Sequence, residues 1–272
     1  MRSVLSTLAA VALFGAPLSA QTADSIIARY LRTVGGMDRI QAVHTMRRLG
    51  KVTGGGGFEA AVVQENKRPN QVREEFSLMG MTQVTAYDGQ NGWKIVPWQG
   101  KKDAEPLSED ELRGMVEDAD FDEPLVNYQQ KGNKVEYLGT DQFEGTDVYK
   151  LKVTYPNGDT RTYFLDTDYC VPIKIESRRT IRGEEQSFEM VLGNYKAVAG
   201  WYMPFSIESR ALGGSNGGKV TIDSVQVNVP IDDSRFQRPG AASQDRICDC
   251  AKFVLNDRPA SNASTPSRRL SG

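Results

Sequence analysis

Alternation of apolar and polar residues runs through most of the chain and predicts β-strands. Tyr149, Leu151 and Val153 alternate with polar residues, as expected for a strand with one buried and one solvated face. The same period of two recurs in about ten to twelve segments, most of them bounded by glycine, asparagine or aspartate. In the stretch 72–78 a glutamate, Glu74, interrupts an otherwise apolar row. The pattern therefore predicts a mainly β protein built as an antiparallel meander.

Helical spacing of apolar residues is confined to three short segments. Residues 26–34 and 37–43 predict two successive helices, the second capped from Asp38. A third helix begins at Ser108, which forms the sequence pattern of a capping box with Glu111. These helices supply too little apolar surface to cover so long a sheet.

A long antiparallel sheet with one apolar face has to curl and cover that face with itself or with helices. We therefore expect an α+β, mainly β fold. It consists of a single strongly curved antiparallel sheet that forms an unclosed half-barrel, with two or three short helices over its concave face. Because the helices are few, an apolar hollow is expected between them and the sheet.

The two ends of the chain differ in composition from the region between them. Residues 1–20 have the pattern of a secretory signal peptide, with Arg2 before an apolar run and small residues before the expected cleavage site. No cysteine lies near that site, so we expect no lipid anchor. The half-barrel domain is expected over residues 21–240. Residues 241–272 are polar and are predicted to form a largely disordered tail.

Charge and cysteine content exclude several classes of protein. Thirty-three basic and 35 acidic residues give a formal net charge of −2, which argues against a nucleic-acid partner. The chain has one histidine, so cysteine and histidine alone cannot provide the usual four-ligand zinc set. Three cysteines, Cys170, Cys248 and Cys250, leave open whether Cys170 pairs with one of the other two.

Acidic clusters are the remaining candidates for chemistry. Asp118, Asp120 and Asp122 alternate as in a calcium loop, but the glycine and the distal glutamate of such a loop are missing. Asp232 and Asp233 follow the last strand, where we expect them to cap a single helical turn that buries Phe236. We therefore predict no catalytic residues, no metal site and no cofactor.

Six stretches, in order along most of 23–239, resemble the LolA-like, outer membrane lipoprotein-sorting group of exported bacterial proteins. They are ADSIIARYLRTVGGMDRIQAVHTM, GMTQVTAYDGQNGW, ADFDEPLVNYQQKGNKVEYLG, YFLDTDYCVPIKIE, GNYKAVAGWYMPFSIES and VNVPIDDSRFQRP. The resemblance implies an unclosed half-barrel with helices as a lid, which holds acyl chains of lipids or lipoproteins in its concave face. It also implies residence in the periplasm and a role in outer-membrane biogenesis.

The leading functional hypothesis is a monomeric, non-enzymatic periplasmic carrier of lipid or lipoprotein acyl chains, with envelope membrane proteins as further partners. An alternative is a solidly packed envelope module that docks a protein partner. A third is an envelope hydrolase or metal-binding protein that uses the acidic clusters. For the carrier, eight apolar residues are predicted to line the cavity: Phe76, Leu78, Trp93, Met115, Leu151, Ile173, Met190 and Phe205.

Overall fold

The structure is a computed structural model that describes residues 22–55, 57–100 and 102–240. The predicted signal peptide and the predicted tail, with Cys248 and Cys250, lie outside the described residues. Within the described ranges, no helix is long and apolar enough to cross a membrane.

Thirteen antiparallel strands form the main sheet of the described part of the chain. They are β1 (Thr45–Gly54), β2 (Glu59–Lys67), β3 (Gln71–Leu78), β4 (Met81–Tyr87), β5 (Gly92–Ile95), β6 (Glu105–Pro106), β7 (Lys134–Phe143), β8 (Thr146–Thr154), β9 (Thr160–Asp166), β10 (Pro172–Ile181), β11 (Glu184–Gly193), β14 (Ser206–Ala211) and β15 (Gly217–Val227). Two further short strands, β12 (Lys196–Val198) and β13 (Trp201–Met203), pair only with each other.

The order of strands across the sheet is β6-β5-β4-β3-β2-β1-β15-β14-β11-β10-β9-β8-β7. The chain thus starts at the centre with β1, runs out to one edge at β6, crosses to the opposite edge at β7 and returns to β15 beside β1. The two edges do not pair, so the sheet is not closed, and the predicted fold class is confirmed. The sequence predicted a simple meander and missed the crossing, because the β1–β15 pairing joins strands far apart in sequence.

Bulges bend the sheet at three places. Between Leu49 and Gly50 the register with β15 shifts so that Asp223 is the extra residue, as the change of apolar parity there predicts. A Cβ added to Gly50 would lie 2.3 Å from the Thr221 carbonyl oxygen, so only glycine fits at this bend. The other two shifts lie between β9 and β10 and between β7 and β8. Each adds local twist and curvature.

Three α-helices occur in the described residues: α1 (Ala23–Thr33), α2 (Met37–Gln41) and α3 (Glu109–Asp118). The predicted capping box of α3 is confirmed, with the Glu111 carboxylate accepting from the Ser108 amide at 2.9 Å. The predicted cap of α2 is wrong. Gly36 takes the N-cap position with a positive φ and no side-chain hydrogen bond, and Asp38 lies in the first turn instead.

The helices pack on the concave face of the sheet. Ile26, Ile27 and Tyr30 of α1 are buried in the largest core cluster, together with residues of β8, β9 and β10. Met115 and Ala119, at the end of α3, pack against Val72 and Tyr87 on β3 and β4. The segment that crosses between the two edges of the sheet therefore contains α3, which covers part of the concave face.

The C-terminal segment packs on the opposite, convex face. Asp232 accepts a hydrogen bond from the Ser234 amide and caps a single 3-10 turn, Asp233–Arg235, which confirms the predicted cap. Phe236 is fully buried, and its carbonyl oxygen accepts from the Trp93 indole at 2.7 Å. The turn therefore fastens the segment after β15 to the outside of the sheet, not to the hollow.

Candidate functional site: a cavity on the concave face

A cavity of about 1110 Å³ lies between the concave face and the crossing segment. This volume is slightly above the range usual for small-molecule sites. Strands from both halves of the sheet line it, as do the end of α3 and the residues that follow. Its apolar wall includes Met46, Val62, Phe76, Trp98, Phe188, Met190, Leu192, Met203, Ile207, Val220 and Ile222.

Aromatic side chains mark the part of the cavity that reaches the surface. Phe76 packs edge-to-face against Trp98, with ring centroids 5.7 Å apart, and against Phe58 at 6.5 Å. Phe58 is 42% exposed and Trp98 39% exposed. Because Trp98 also lines the cavity, apolar surface is continuous from the cavity wall to this exposed aromatic group.

A polar row crosses the inner wall on three adjacent strands. The Arg48 Nη1 donates to the Gln64 Oε1 at 2.6 Å, and the Gln64 Nε2 donates to the Glu74 Oε1 at 2.8 Å. Arg48 also donates to the amide oxygen of Asn66 at 3.4 Å. Within the described residues, no carboxylate forms an ion pair with Arg48. Burial lowers the pKa of Arg48, against the opposing charges of Glu123 and Glu74.

Helix α3 is held to the far side of the cavity by charged groups. The buried Glu117 Oε2 accepts from Arg161 at 2.9 Å and from Arg179 at 2.6 Å. One turn earlier, the Arg113 guanidinium donates to the Thr180 carbonyl oxygen at 3.1 Å. Since its other side packs on β3 and β4 through apolar residues, α3 bridges the two halves of the sheet.

Several carboxyl groups around the cavity are shifted toward the neutral form. Burial, with the nearby charge of Asp118, raises the pKa of Glu74 to about 7. Asp118 and Glu123 keep exposed surface, but the protein groups that surround them in the cavity remove part of their hydration and raise the pKa of both. For Glu117, burial raises the pKa against the opposing charges of Arg161 and Arg179. The surroundings of the cavity therefore favour the neutral form of these carboxyl groups, which form a polar patch in an otherwise apolar wall.

The alternating aspartates that follow α3 do not converge. Asp118 lines the cavity. Asp120 forms an ion pair with Lys131 at 2.5 Å, and Asp122 accepts from the Arg68 Nη1 at 2.8 Å. Across the described ranges, no three histidine, cysteine, aspartate or glutamate side chains are grouped as metal ligands.

The remaining candidates for chemistry lie elsewhere on the molecule. Asp233 forms an ion pair with Lys67 at 2.5 Å on the convex side, beside the capping Asp232. His44 is exposed at the junction before β1. Cys170 is buried, and its thiol donates to the Ile26 carbonyl oxygen at 3.5 Å.

The eight residues predicted to line the cavity occupy different places. Phe76 and Met190 lie in its wall. Trp93, Met115, Leu151 and Phe205 are buried in the core, and Leu78 and Ile173 are partly buried outside the cavity wall. The polar row was not predicted from the sequence. Its signal was the interruption at Glu74, because a glutamate at an inward position has to face the hollow.

Comparisons with known proteins identify the fold. No family model and no curated protein matches the chain. Three crystal structures match with a TM-score of 0.54. A DUF1329 family protein from Desulfovibrio piger is 10% identical, with 79% of this chain and 96% of that chain covered. A putative outer membrane lipoprotein-sorting protein domain from Vibrio parahaemolyticus is 12% identical, with 78% and 94% covered. A LolA superfamily protein from Nitrosomonas europaea is 15% identical, with 80% and 98% covered. The resemblance to LolA-like proteins is thus confirmed at the level of the fold.

Proposed function

We propose that this protein is a non-enzymatic periplasmic carrier that binds acyl chains of lipids or lipoproteins in the cavity on its concave face. The observation that supports this most directly is the cavity itself, which is large, walled by apolar side chains and bordered by exposed aromatic rings. A solidly packed docking module would have no such space. The cavity therefore favours the carrier over that alternative.

Burial of methylene groups is the driving force expected for binding. Each methylene transferred from water to an apolar wall contributes about 0.8 kcal/mol. A chain along Val62 and Phe76 would stay in contact with apolar surface from the inner wall to the aromatic group at Trp98. Helix α3 would act as a lid that opens on its charged side, at Glu117, while its apolar side remains on β3 and β4.

The cellular setting of the proposal comes from the signal-peptide pattern and from the fold. An exported carrier that acts as a monomer would take an acyl chain from one envelope membrane or membrane-protein partner and deliver it to another. One of the proteins with a similar fold is a putative outer membrane lipoprotein-sorting protein domain from Vibrio parahaemolyticus, and a role of this kind in outer-membrane biogenesis is part of the proposal.

Lipid binding tests the proposal directly. We expect native mass spectrometry of protein purified gently from the periplasm to find bound lipid, and a fluorescent fatty acid to bind the delipidated protein. Val220→Trp places a large ring in the cavity and should abolish most of the binding. Thr221→Trp makes the same change on the exposed outer face of β15 and should leave binding unchanged. The proposal is wrong if the wild-type protein carries no lipid and binds no probe, or if Val220→Trp binds as well as the wild type.

A further inference from the structure

In the described part of the chain, three of the arginines that line the cavity occupy inward positions, and they differ in their partners. Arg161 and Arg179 both form ion pairs with Glu117. Arg48 is bonded only to the side-chain amides of Gln64 and Asn66, and within the described ranges it forms no ion pair. The Arg48 guanidinium is therefore a cation inside the cavity that no carboxylate neutralises directly.

An unneutralised guanidinium in a largely apolar cavity has a definite chemical preference. Removing a charge from water is unfavourable unless an opposite charge replaces the lost hydration. A guanidinium carries five N–H donors in a planar fork that matches the two oxygens of a carboxylate or a phosphate. Gln64 and Asn66 are bonded to only one nitrogen, Nη1. Donors on Nε and Nη2 therefore remain for a ligand anion.

The surroundings of Arg48 fit a ligand with an apolar chain attached to that anion. Two residues further along β1 lies Gly50, which has no side chain, with Val62 of β2 and Ile222 of β15 as its cross-strand partners. Phe76 of β3 continues the same layer beyond Val62. This layer is about 7 Å from that of Arg48, given the rise of a strand. A chain attached to an anion at Arg48 would enter apolar surroundings at once.

We propose that Arg48 binds the anionic head group, a carboxylate or a phosphate, of an amphiphile whose chain lies along Gly50, Val62 and Phe76 toward Trp98. The proposal rests on the carrier function proposed above and adds the chemical class of the ligand. It assigns Arg48 a binding role that the apolar pattern of the sequence does not indicate.

Other charged groups around the inner wall modulate this site. Glu74 lies beyond Gln64, two strands away from Arg48, so that the backbones at the two positions are about 9–10 Å apart. Glu117 and Asp118 face the cavity from α3, and Glu123 faces it from the segment that follows. Arg161 and Arg179, on β9 and β10, neutralise Glu117. Glu123 and Glu74 both act on Arg48 through their charge, and Glu74 is also joined to it through a continuous hydrogen-bonded chain.

Binding of twelve-carbon probes that differ only in the head group tests the proposal. Delipidated protein is titrated with dodecanoate, dodecyl phosphate, dodecanol and dodecyltrimethylammonium, each below its micelle concentration. We expect each anionic probe to bind at least about tenfold tighter than dodecanol, and Arg48→Gln to remove that difference. Inorganic phosphate and acetate should not displace the bound dodecyl anions, which would show that the ligand is an amphiphile and not a free anion.

Matched variants separate a binding role from a structural one. Lys51→Gln removes a positive charge from the same strand on the outer face and should change no probe affinity. Arg48→Lys keeps the charge and should retain part of the preference for anions. Glu74→Gln removes one of the two carboxylates whose charge acts on Arg48, and should tighten binding of the anionic probes by about twofold to tenfold, with dodecanol unaffected.

The outcomes distinguish this proposal from the carrier function. Equal binding of dodecanoate and dodecanol by the wild type, or an unchanged anion preference in both Arg48 variants, would overturn the head-group assignment and leave the carrier function standing. Tighter binding of dodecyltrimethylammonium than of dodecanoate would also overturn it. If no probe binds, dodecanol included, both proposals are wrong.

Discussion

Neighbouring residues on β1 face opposite sides of the sheet and meet different partners. On the convex face, Arg47 donates to the Glu65 Oε1 at 2.7 Å, and Arg235 of the C-terminal turn donates to the Glu65 Oε2 at 2.5 Å. On the concave face, Arg48 meets the amide of Gln64 at 2.6 Å. Successive side chains of β1 point to opposite faces, as in any strand. The arginine on the convex face meets a carboxylate, whereas the arginine on the concave face meets a neutral amide.

The convex network is complete within the protein. Arg73 and Arg235 both donate to the Glu75 Oε1 at 2.9 Å, and Glu65, only 1% exposed, has a cation on each oxygen. The concave row runs from Arg48 through Gln64 to Glu74. Among the residues that the structure describes, neither of its two charged ends forms an ion pair. A complete network stabilises a fold, whereas an incomplete one facing a cavity leaves donors for a ligand. Under the proposed function, the convex face contributes stability and the concave face contributes binding.

Two phenylalanines on opposite faces give the largest expected contrast. Phe236 is fully buried on the convex side, so Phe236→Ala should lower the free energy of unfolding by about 3–5 kcal/mol in urea titrations. Acyl-chain affinity should not change under conditions where the variant is folded. Phe76 is partly exposed in the cavity wall. Phe76→Ala should therefore reduce stability much less and weaken probe binding. Equal effects of the two variants on stability and binding would contradict the division between the faces.

The convex ion network gives the next largest effect. Glu65→Gln removes the charge that holds Arg47 and Arg235, and should lower the free energy of unfolding by about 2–4 kcal/mol. Glu59→Gln on the exposed end of β2 is the control and should leave stability almost unchanged, since its pair with Lys51 is solvated. Stability that is unaffected by Glu65→Gln would show that the convex network does not hold the C-terminal turn in place.

The sequence predicted the fold better than the site because the fold depends on periodicity. Alternation predicts the strands and which of their faces is solvated. The Ser108–Glu111 pair predicts the start of α3, and the shift in apolar parity predicts the bulge at Asp223. The β1–β15 pairing and the crossing between the edges were missed, because nothing local in the sequence specifies which distant strands pair.

The site was harder to predict because periodicity identifies the face of a residue but not whether the space before it is filled. Leu151 and Met190 are both apolar and both face inward, yet α1 packs over the region of Leu151 and leaves Met190 at the cavity. Inward polar residues were the better signal. Arg48 and Glu74 occupy inward positions where an apolar residue would be expected, and departures of this kind are common at functional sites.

The smallest expected effect is on the pH dependence of the free energy of unfolding, which two glutamates on opposite faces should change in opposite directions. This prediction tests the difference between the concave and convex faces most directly. Burial raises the pKa of Glu74 on the concave face to about 7, from its ordinary value of 4.5. Between these pH values the folded protein keeps a proton that the unfolded chain loses, so the free energy of unfolding should fall as pH rises through this window, on the order of 1–3 kcal/mol. Glu74→Gln should flatten that fall.

Glu189, on the convex face, is the matched counterpart. Although burial acts in the opposite direction, hydrogen bonds from Arg210 and Lys174 lower the pKa of Glu189. Its contribution to stability is therefore present above the unfolded pKa and lost as pH falls through the folded pKa. Glu189→Gln should lower the free energy of unfolding at neutral pH and leave it nearly unchanged in acid, whereas Glu74→Gln should raise it at neutral pH. Urea titrations at a series of pH values measure both. If the two variants change the free energy of unfolding in the same direction at neutral pH, the protein stabilises the charged form of Glu74 as it does that of Glu189. The two faces would then not differ in how they treat a carboxylate.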